Sequence, residues 1–134
     1  MPASAGAVAL EELTAALRLA WGPDTCAPED QPNWSTDNPA RGQCITTVLV
    51  VHDAFGGQLV RGEVDVDGSR VDYHWWNRSP DGTEIDLTRE QFHSHESIVG
   101  RVLVERPWGQ SRIDEEYARL SARVRQASEP PATS

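Results

Sequence analysis

A thiol, an imidazole and a carboxylate follow one another along the chain at Cys44, His74 and Asp86. In that combination a cysteine can attack a carbonyl carbon, a histidine can take the thiol proton, and a carboxylate can hold one ring nitrogen so that the other faces the sulfur. The chemistry is acyl transfer from an amide or thioester. Hydrolysis and transfer differ only in whether water or an amine resolves the acyl-enzyme, and the sequence does not separate them. Cys44 follows Gly42-Gln43 at the end of a loop-like stretch. His74 lies within Asp72-Tyr73-His74-Trp75-Trp76-Asn77, and Asp86 within Glu84-Ile85-Asp86-Leu87-Thr88.

These groups must be positioned by the elements around them. After Gly57, Leu59 to Val66 alternates in polarity and ends at Asp67-Gly68, a two-residue hairpin turn. Arg70 to Asn77, the turn Ser79-Pro80-Asp81-Gly82 and Thr83 to Thr88 complete a three-stranded antiparallel meander. His74 and Asp86 are directly opposite if paired residue numbers sum to 160, which sets Asn77 against Thr83; a slip of one residue puts them on different faces. Cys44 opens Cys44-Ile45-Thr46-Thr47-Val48-Leu49-Val50-Val51-His52-Asp53. The β-branched content reads as a buried strand, and a buried helix is equally allowed in a run this short. If Cys44 begins a helix, its dipole and free N–H groups favour thiolate. Gln43, the Cys44 N–H or Asn38 would then offer oxyanion donors. Trp34, Trp76 and Asn77 are candidates for the wall of a substrate cleft.

Flanking elements complete one domain over residues 1–126, with a Pro/Ser-rich tail at 127–134 expected to be disordered. Val8 to Trp21 has apolar residues at helical spacing and stops at Gly22-Pro23. Pro23 to Gly42 is a long loop, Ile98 to Val104 a strand or part of a helix, and Ser111 to Gln126 a helix with Ile113, Tyr117, Leu120 and Val124 on one stripe. A 134-residue chain buries roughly two-thirds of its unfolded surface, enough for one core.

Composition narrows the partners. The net charge is −9 and all 12 basic residues are Arg. No basic patch for nucleic acid is expected, an anionic membrane surface is disfavoured, and no lysine is present for a Schiff base. Cys26 and Cys44 fit neither a disulfide scaffold nor a zinc-ligand spacing. No stretch is long and apolar enough for a membrane span, and the N-terminus lacks the charge pattern of a signal peptide. Together with the lack of a disulfide framework, this favours a cytoplasmic location. No cofactor is expected; the partner is a small-molecule or peptide amide or thioester, with a protein partner as the alternative.

The strings Asn38-Pro39-Ala40-Arg41-Gly42-Gln43-Cys44, Gly56-Gly57-Gln58-Leu59, His74-Trp75-Trp76-Asn77 and Asp86-Leu87-Thr88-Arg89-Glu90-Gln91-Phe92 resemble the small bacterial YunG-like family. The resemblance runs from about Leu17 to Phe92 and returns weakly in the C-terminal helix. The order Cys…His…Asp is similar to papain-like and transglutaminase-like folds, in which the cysteine opens a buried helix and His and Asp lie on neighbouring strands. That likeness implies an α+β domain with Gln43 to Asp53 as a central helix on a three- to four-stranded antiparallel sheet. Cys26 departs from the small polar residue expected there.

Each candidate has a plainer role. Cys44 alone is more often a buried structural cysteine, His74 a satisfied core histidine, and the tryptophans pure packing. Thr88 with Gln91 makes a capping box, leaving Asp86 free for His74. His93 and His95 with Glu96 suggest a metal site, although a His-x-His in a loop more often titrates in solvent. Three functions follow: a thiol acyl-transfer enzyme, a non-catalytic binding protein retaining the fold, and a metalloprotein using Cys44, His74, Asp86 and His93.

Overall fold

The computed structural model describes residues 2–107 and 111–128, with side chains for residues 9–107 and 113–127. Helix α1 spans Pro2–Ala20, α2 Cys44–Phe55 and α3 Ser111–Ser128; the strands are β1 Gln58–Val66, β2 Ser69–Arg78, β3 Glu84–Ile85 and β4 Ser97–Val104. The molecule is α+β. Its four strands form one antiparallel sheet in the order β3-β2-β1-β4. The sheet curls enough for Arg101 on one edge strand to pair with Glu84 on the other.

The Cys44–Phe55 segment is helical despite its β-branched residues. Preferences of this kind are worth about 0.5 kcal/mol per residue and yield to packing. Val48, Leu49, Val50 and Val51 are all buried, on successive positions around the helix. Val50 and Val51 join Leu17, Trp21, Leu120 and Val124 between the three helices. Val48 and Leu49 join Leu59 of β1 and Ile113 of α3, with Ile45 and Trp75 beside them. Burying a side chain of this size is worth roughly 1.5–3 kcal/mol, so neighbours on every side decide the conformation.

The β1–β2 turn is Asp67-Gly68, both with positive φ (53° and 81°), between the paired Val66 and Ser69. This left-handed geometry matches the twist of the strands it joins. The β2–β3 register differs from the expected one: Asn77 pairs with Ile85 and Arg78 with Glu84, so numbers sum to 162 rather than 160. The reason is the turn. Ser79 N–H donates to the Thr83 carbonyl at 2.8 Å, and the Asp81 carboxylate accepts from Thr83 N–H, closing the loop one residue later than expected. A shift of two preserves the faces, so His74 and Asp86 stay on one side.

The segment expected as a featureless loop has internal structure, with a 3-10 turn at Pro28–Asn33 and a bridge between Ser35 and Asn38. Residues 98–104 are strand, and α1 and α3 run further than their apolar stripes. Residues 127 and 128 of the expected tail belong to α3; the rest of it, 129–134, lies outside the described residues. No helix among the described residues is long and apolar enough to cross a membrane.

Candidate functional site

Asp86 and His74 meet. The Nε2 of His74 lies 2.7 Å from Asp86 Oδ2, and the same oxygen accepts from Arg89 Nε at 2.7 Å. His74 is fully buried. Its ring is stacked on Trp76 at 5.5 Å between centroids and met edge-on by Phe92 at 4.7 Å. Burial raises the Asp86 carboxyl, but the bond and charge of His74 and then Arg89 outweigh it, holding it below its ordinary value. An ionised carboxylate can only accept, so Nε2 carries the hydrogen, and in the neutral ring Nδ1 presents a lone pair. That Nδ1 has no hydrogen-bond partner among the described residues.

Cys44 is the first residue of α2, where a backbone N–H has no intrahelical acceptor. The helix start was expected to favour thiolate. Instead the thiol is pushed up to about 12, first by burial and further by Asp72, Asp30 and Asp86, against the pull of the Trp75 backbone N–H that faces it. Desolvation of an anion and three nearby carboxylates outweigh one helix terminus. The resting group is therefore a neutral thiol.

The approach of Cys44 to β2 is made at the strand edge. Strand β3 pairs only with Asn77 and Arg78, leaving Ser69 to Trp76 without a strand on that side. Trp75 and Asn77 face α2: the Trp75 ring packs beside Val48 and Leu49, and Asn77 Nδ2 donates to the Val48 carbonyl at 3.0 Å. By alternation His74 and Trp76 leave the opposite face. Cys44 meets β2 at the Trp75 N–H while His74 leaves the face away from α2, and no hydrogen bond joins the two side chains.

Two clefts meet at Cys44, of about 270 and 280 Å³. Phe92 and Arg41 line one, Trp75 and Glu116 the other, and Asp30, Asp72 and Tyr73 line both. The Cys26 thiol, also pushed up to about 12 by burial and then by Asp30 and Glu116, packs under the loop before Cys44. Gly42 has φ +72°, and a side chain there would overlap the Cys26 sulfur.

The remaining candidates line neither cleft. Gln43, fully buried, accepts from Thr25 Oγ1 at 2.7 Å and donates to the Gly22 carbonyl at 2.9 Å; its side chain ties down a loop and offers nothing to an oxyanion. Asn38 Nδ2 donates to the Gln91 carbonyl at 2.9 Å, Trp34 Nε1 to the Pro39 carbonyl at 3.0 Å and Trp76 Nε1 to Glu84 at 2.7 Å. Asn77 is committed to α2 as described. The Thr88 capping box is not formed. Thr88 makes no side-chain cap to the short Arg89–Gln91 turn, and Gln91 instead donates to the Thr88 carbonyl and accepts from Gly42 N–H. His93 and His95 meet edge-to-face at 5.7 Å, and no group of three His, Cys, Asp or Glu among the described residues is arranged to hold a metal ion. The cleft-lining Asp30, Asp72, Tyr73 and Phe92 were missed as site residues. Only the neighbours of the motifs, Tyr73 before His74 and Phe92 after Gln91, carried any signal.

Another depression, of about 380 Å³, lies elsewhere, lined by His52, Gly57, Leu103 and Arg106 among others. It has neither a thiol nor a His–carboxylate pair.

Fold and site together define a small α+β protein with a thiol at a helix start and a carboxylate-held imidazole at the neighbouring strand. A family model described as the YunG protein matches residues 9–129, and the chain belongs to that family. It is 38% identical over 61 residues to YunG of Bacillus subtilis (strain 168), described as uncharacterized; the match covers 46% of this chain and 48% of that relative. The chain thus matches about half the length of this curated relative. No solved structure matches it.

Proposed function

We propose that the protein is a cysteine-dependent acyl-transfer enzyme, with Cys44 as nucleophile, His74 as base and Asp86 as the group that orients His74. The carrying observation is the buried imidazole whose Nε2 is held at 2.7 Å by Asp86 while Nδ1 keeps an unshared lone pair. It supports a papain- or transglutaminase-like arrangement, with the nucleophile at a helix start, His74 on the adjoining sheet and Asp86 just beyond the short edge strand β3. In the reaction the Cys44 sulfur bonds to the carbonyl carbon of an amide or thioester as its proton passes to Nδ1. The C–N or C–S bond then breaks, and Nδ1 returns that proton to the leaving amine or thiol. Water or an amine next attacks the acyl carbon, gives its proton to Nδ1 and frees the sulfur, which is reprotonated. The Cys44 N–H, free of an intrahelical acceptor, takes the oxyanion. The proton transfer needs a sulfur–Nδ1 contact that the resting structure does not contain, so Cys44 must turn away from the Trp75 N–H as substrate enters. The site works on the cytoplasmic side and without a cofactor on this reading.

A second reading has a specific observation in its favour. A thiol held up at about 12 and not bonded to His74 suits a binding protein that has kept the scaffold. Intact-mass measurement after incubation with an activated ester and with an acyl thioester separates the two. The enzyme reading expects one acyl group on Cys44, formed in the wild type and lost in His74→Ala. Acylation that proceeds equally in His74→Ala, or never occurs, leaves the binding reading.

A further inference from the structure

We propose that Arg89 is a positioning residue of this site: it shares the Asp86 oxygen that holds His74, balances that carboxylate's charge, and so leaves His74 an uncharged base. Its use in catalysis rests on the acyl-transfer reading. Two donors converge on one oxygen. His74 Nε2 and Arg89 Nε each lie 2.7 Å from Asp86 Oδ2, while Asp86 Oδ1 is buried without a hydrogen-bond partner among the described residues. The His74 side chain is 0% exposed and that of Asp86 14%. A carboxylate so enclosed, with one bare oxygen, needs a cation beside it. That cation is either Arg89, which does not give up its proton, or His74 as imidazolium. With Arg89 in place the carboxylate is already matched, and a proton on His74 would add an unbalanced charge to a buried ring. Without Arg89 the same proton would neutralise Asp86. Arg89 thereby decides the protonation state in which the His74–Asp86 pair rests.

The guanidinium is aimed as well as charged. It follows Asp86 by three residues, at the start of the Arg89–Gln91 turn, and its central carbon lies 5.7 Å from the centroid of the Trp76 ring. That ring is the one stacked on His74. Arg89 thus grips both groups that orient the imidazole, its carboxylate and its aromatic neighbour.

The other charges around His74 are matched elsewhere. Glu84 of β3, which accepts from Trp76 Nε1, pairs with Arg101 of β4, and Glu90 pairs with Arg18 of α1. Asp72, two residues earlier on β2, is exposed and accepts from the Tyr73 N–H. Burial keeps the Cys44 thiol uncharged. Gly62, opposite His74 on β1, and Phe92, edge-on to its ring, carry no charge.

The test follows the ring itself. The full chain is labelled with ¹⁵N-histidine, the His74 signals are assigned by their loss in His74→Ala, and protonation of Nδ1 is followed as pH is lowered. In Arg89→Gln it should set in about one unit higher than in the wild type, the scale of a charge a few ångströms away. Arg89→Met, which keeps an apolar stem for Trp76, should behave alike, and Arg89→Lys, which keeps the charge, should restore most of the difference. The Arg89 side chain is 54% exposed, so none of these changes empties the core. Acylation of Cys44 should carry the same signature: about tenfold slower than wild type in Arg89→Gln at low pH, and equal to it once His74 is deprotonated in both. No shift or a downward shift in Arg89→Gln, or a shift as large in Arg89→Lys, overturns the proposal. The ring titration needs no turnover. An upward shift without any acyl-enzyme keeps the charge role of Arg89 and removes the enzyme reading alone. An acyl-enzyme in the wild type with the titration unmoved in Arg89→Gln does the reverse.

Discussion

The two ends of α2 both carry titratable groups, and they are treated in opposite ways. At the C-terminal end Arg106 Nη1 reaches the Leu49 carbonyl, His52 Nδ1 at 2.8 Å and Asp53 at 2.9 Å, while Tyr117 donates to Asp53. A guanidinium only donates, so His52 Nδ1 must accept and that ring is held with its lone pair occupied. The positive charge also suits the negative end of the helix. At the N-terminal end the corresponding lone pair, His74 Nδ1, is unoccupied, and the Cys44 thiol is neutral and faces a cleft. One end uses its polar groups to hold the fold; the other leaves them available to a reactant.

The strongest way to break this contrast is to exchange the histidines' fates. Removing His74 as His74→Ala should lower the rate of Cys44 acylation by about 10²–10⁴-fold, the usual contribution of a positioned base, and Cys44→Ser should remove the adduct formed at that sulfur. His52→Ala should leave the acylation rate within about twofold. A large loss in His52→Ala would show the two ends to be functionally equivalent.

Asp86→Asn should act as strongly as His74→Ala, by up to about 10⁴-fold in acylation, because the amide favours the tautomer with hydrogen on Nδ1 and so removes the lone pair that takes the thiol proton. It also carries a pH signature. The Asp86 carboxyl lies below its ordinary value in the folded chain, so its stabilisation is present above the unfolded carboxyl pKa of about 3.9. It is lost as pH falls through the folded value. Melting temperatures from pH 6 downward should show the wild type above Asp86→Asn at the start, with the gap closing below about pH 4.

How much of this could be read from the sequence varies by region. Asp67-Gly68 announced its hairpin because turn chemistry is local. The His74–Asp86 meeting was legible as a face relationship, but the register was displaced by two because the Asp81 side chain sets where the loop closes. The helix at Cys44–Phe55 was not legible in its own residues; helices and strands on several sides determine it, and only family resemblance pointed that way. The cleft was least legible, since Asp30, Arg41, Asp72 and Phe92 come from separate loops and a strand. A list of residue types gives no hint that their carboxylates share a cavity with the thiol.

At the C-terminal end of α2, Arg106→Ala should cost about 1.5–3 kcal/mol in urea unfolding, the usual range for hydrogen bonds to a charged group. The acylation rate should stay unchanged. A smaller effect should appear in alkali. Both thiols are raised to about 12, so their contribution to stability is intact below the unfolded thiol pKa of about 8.5 and declines as pH rises toward 12. Cys26→Ala should therefore lessen the loss of melting temperature above pH 9 relative to the wild type, measured against their difference at pH 7.

Gln91 gives the site a mechanical character. Its side chain accepts from Gly42 N–H at 2.9 Å, and its carbonyl accepts from Asn38 and Arg41. The loop that delivers Cys44 is thus stitched to the segment that follows Asp86. Nucleophile and base cannot be re-aimed independently, so insertions between Asn38 and Gly42 would displace both. The Asp67-Gly68 turn shares none of these bonds and is the place where extra residues, or a fused tag, should be absorbed.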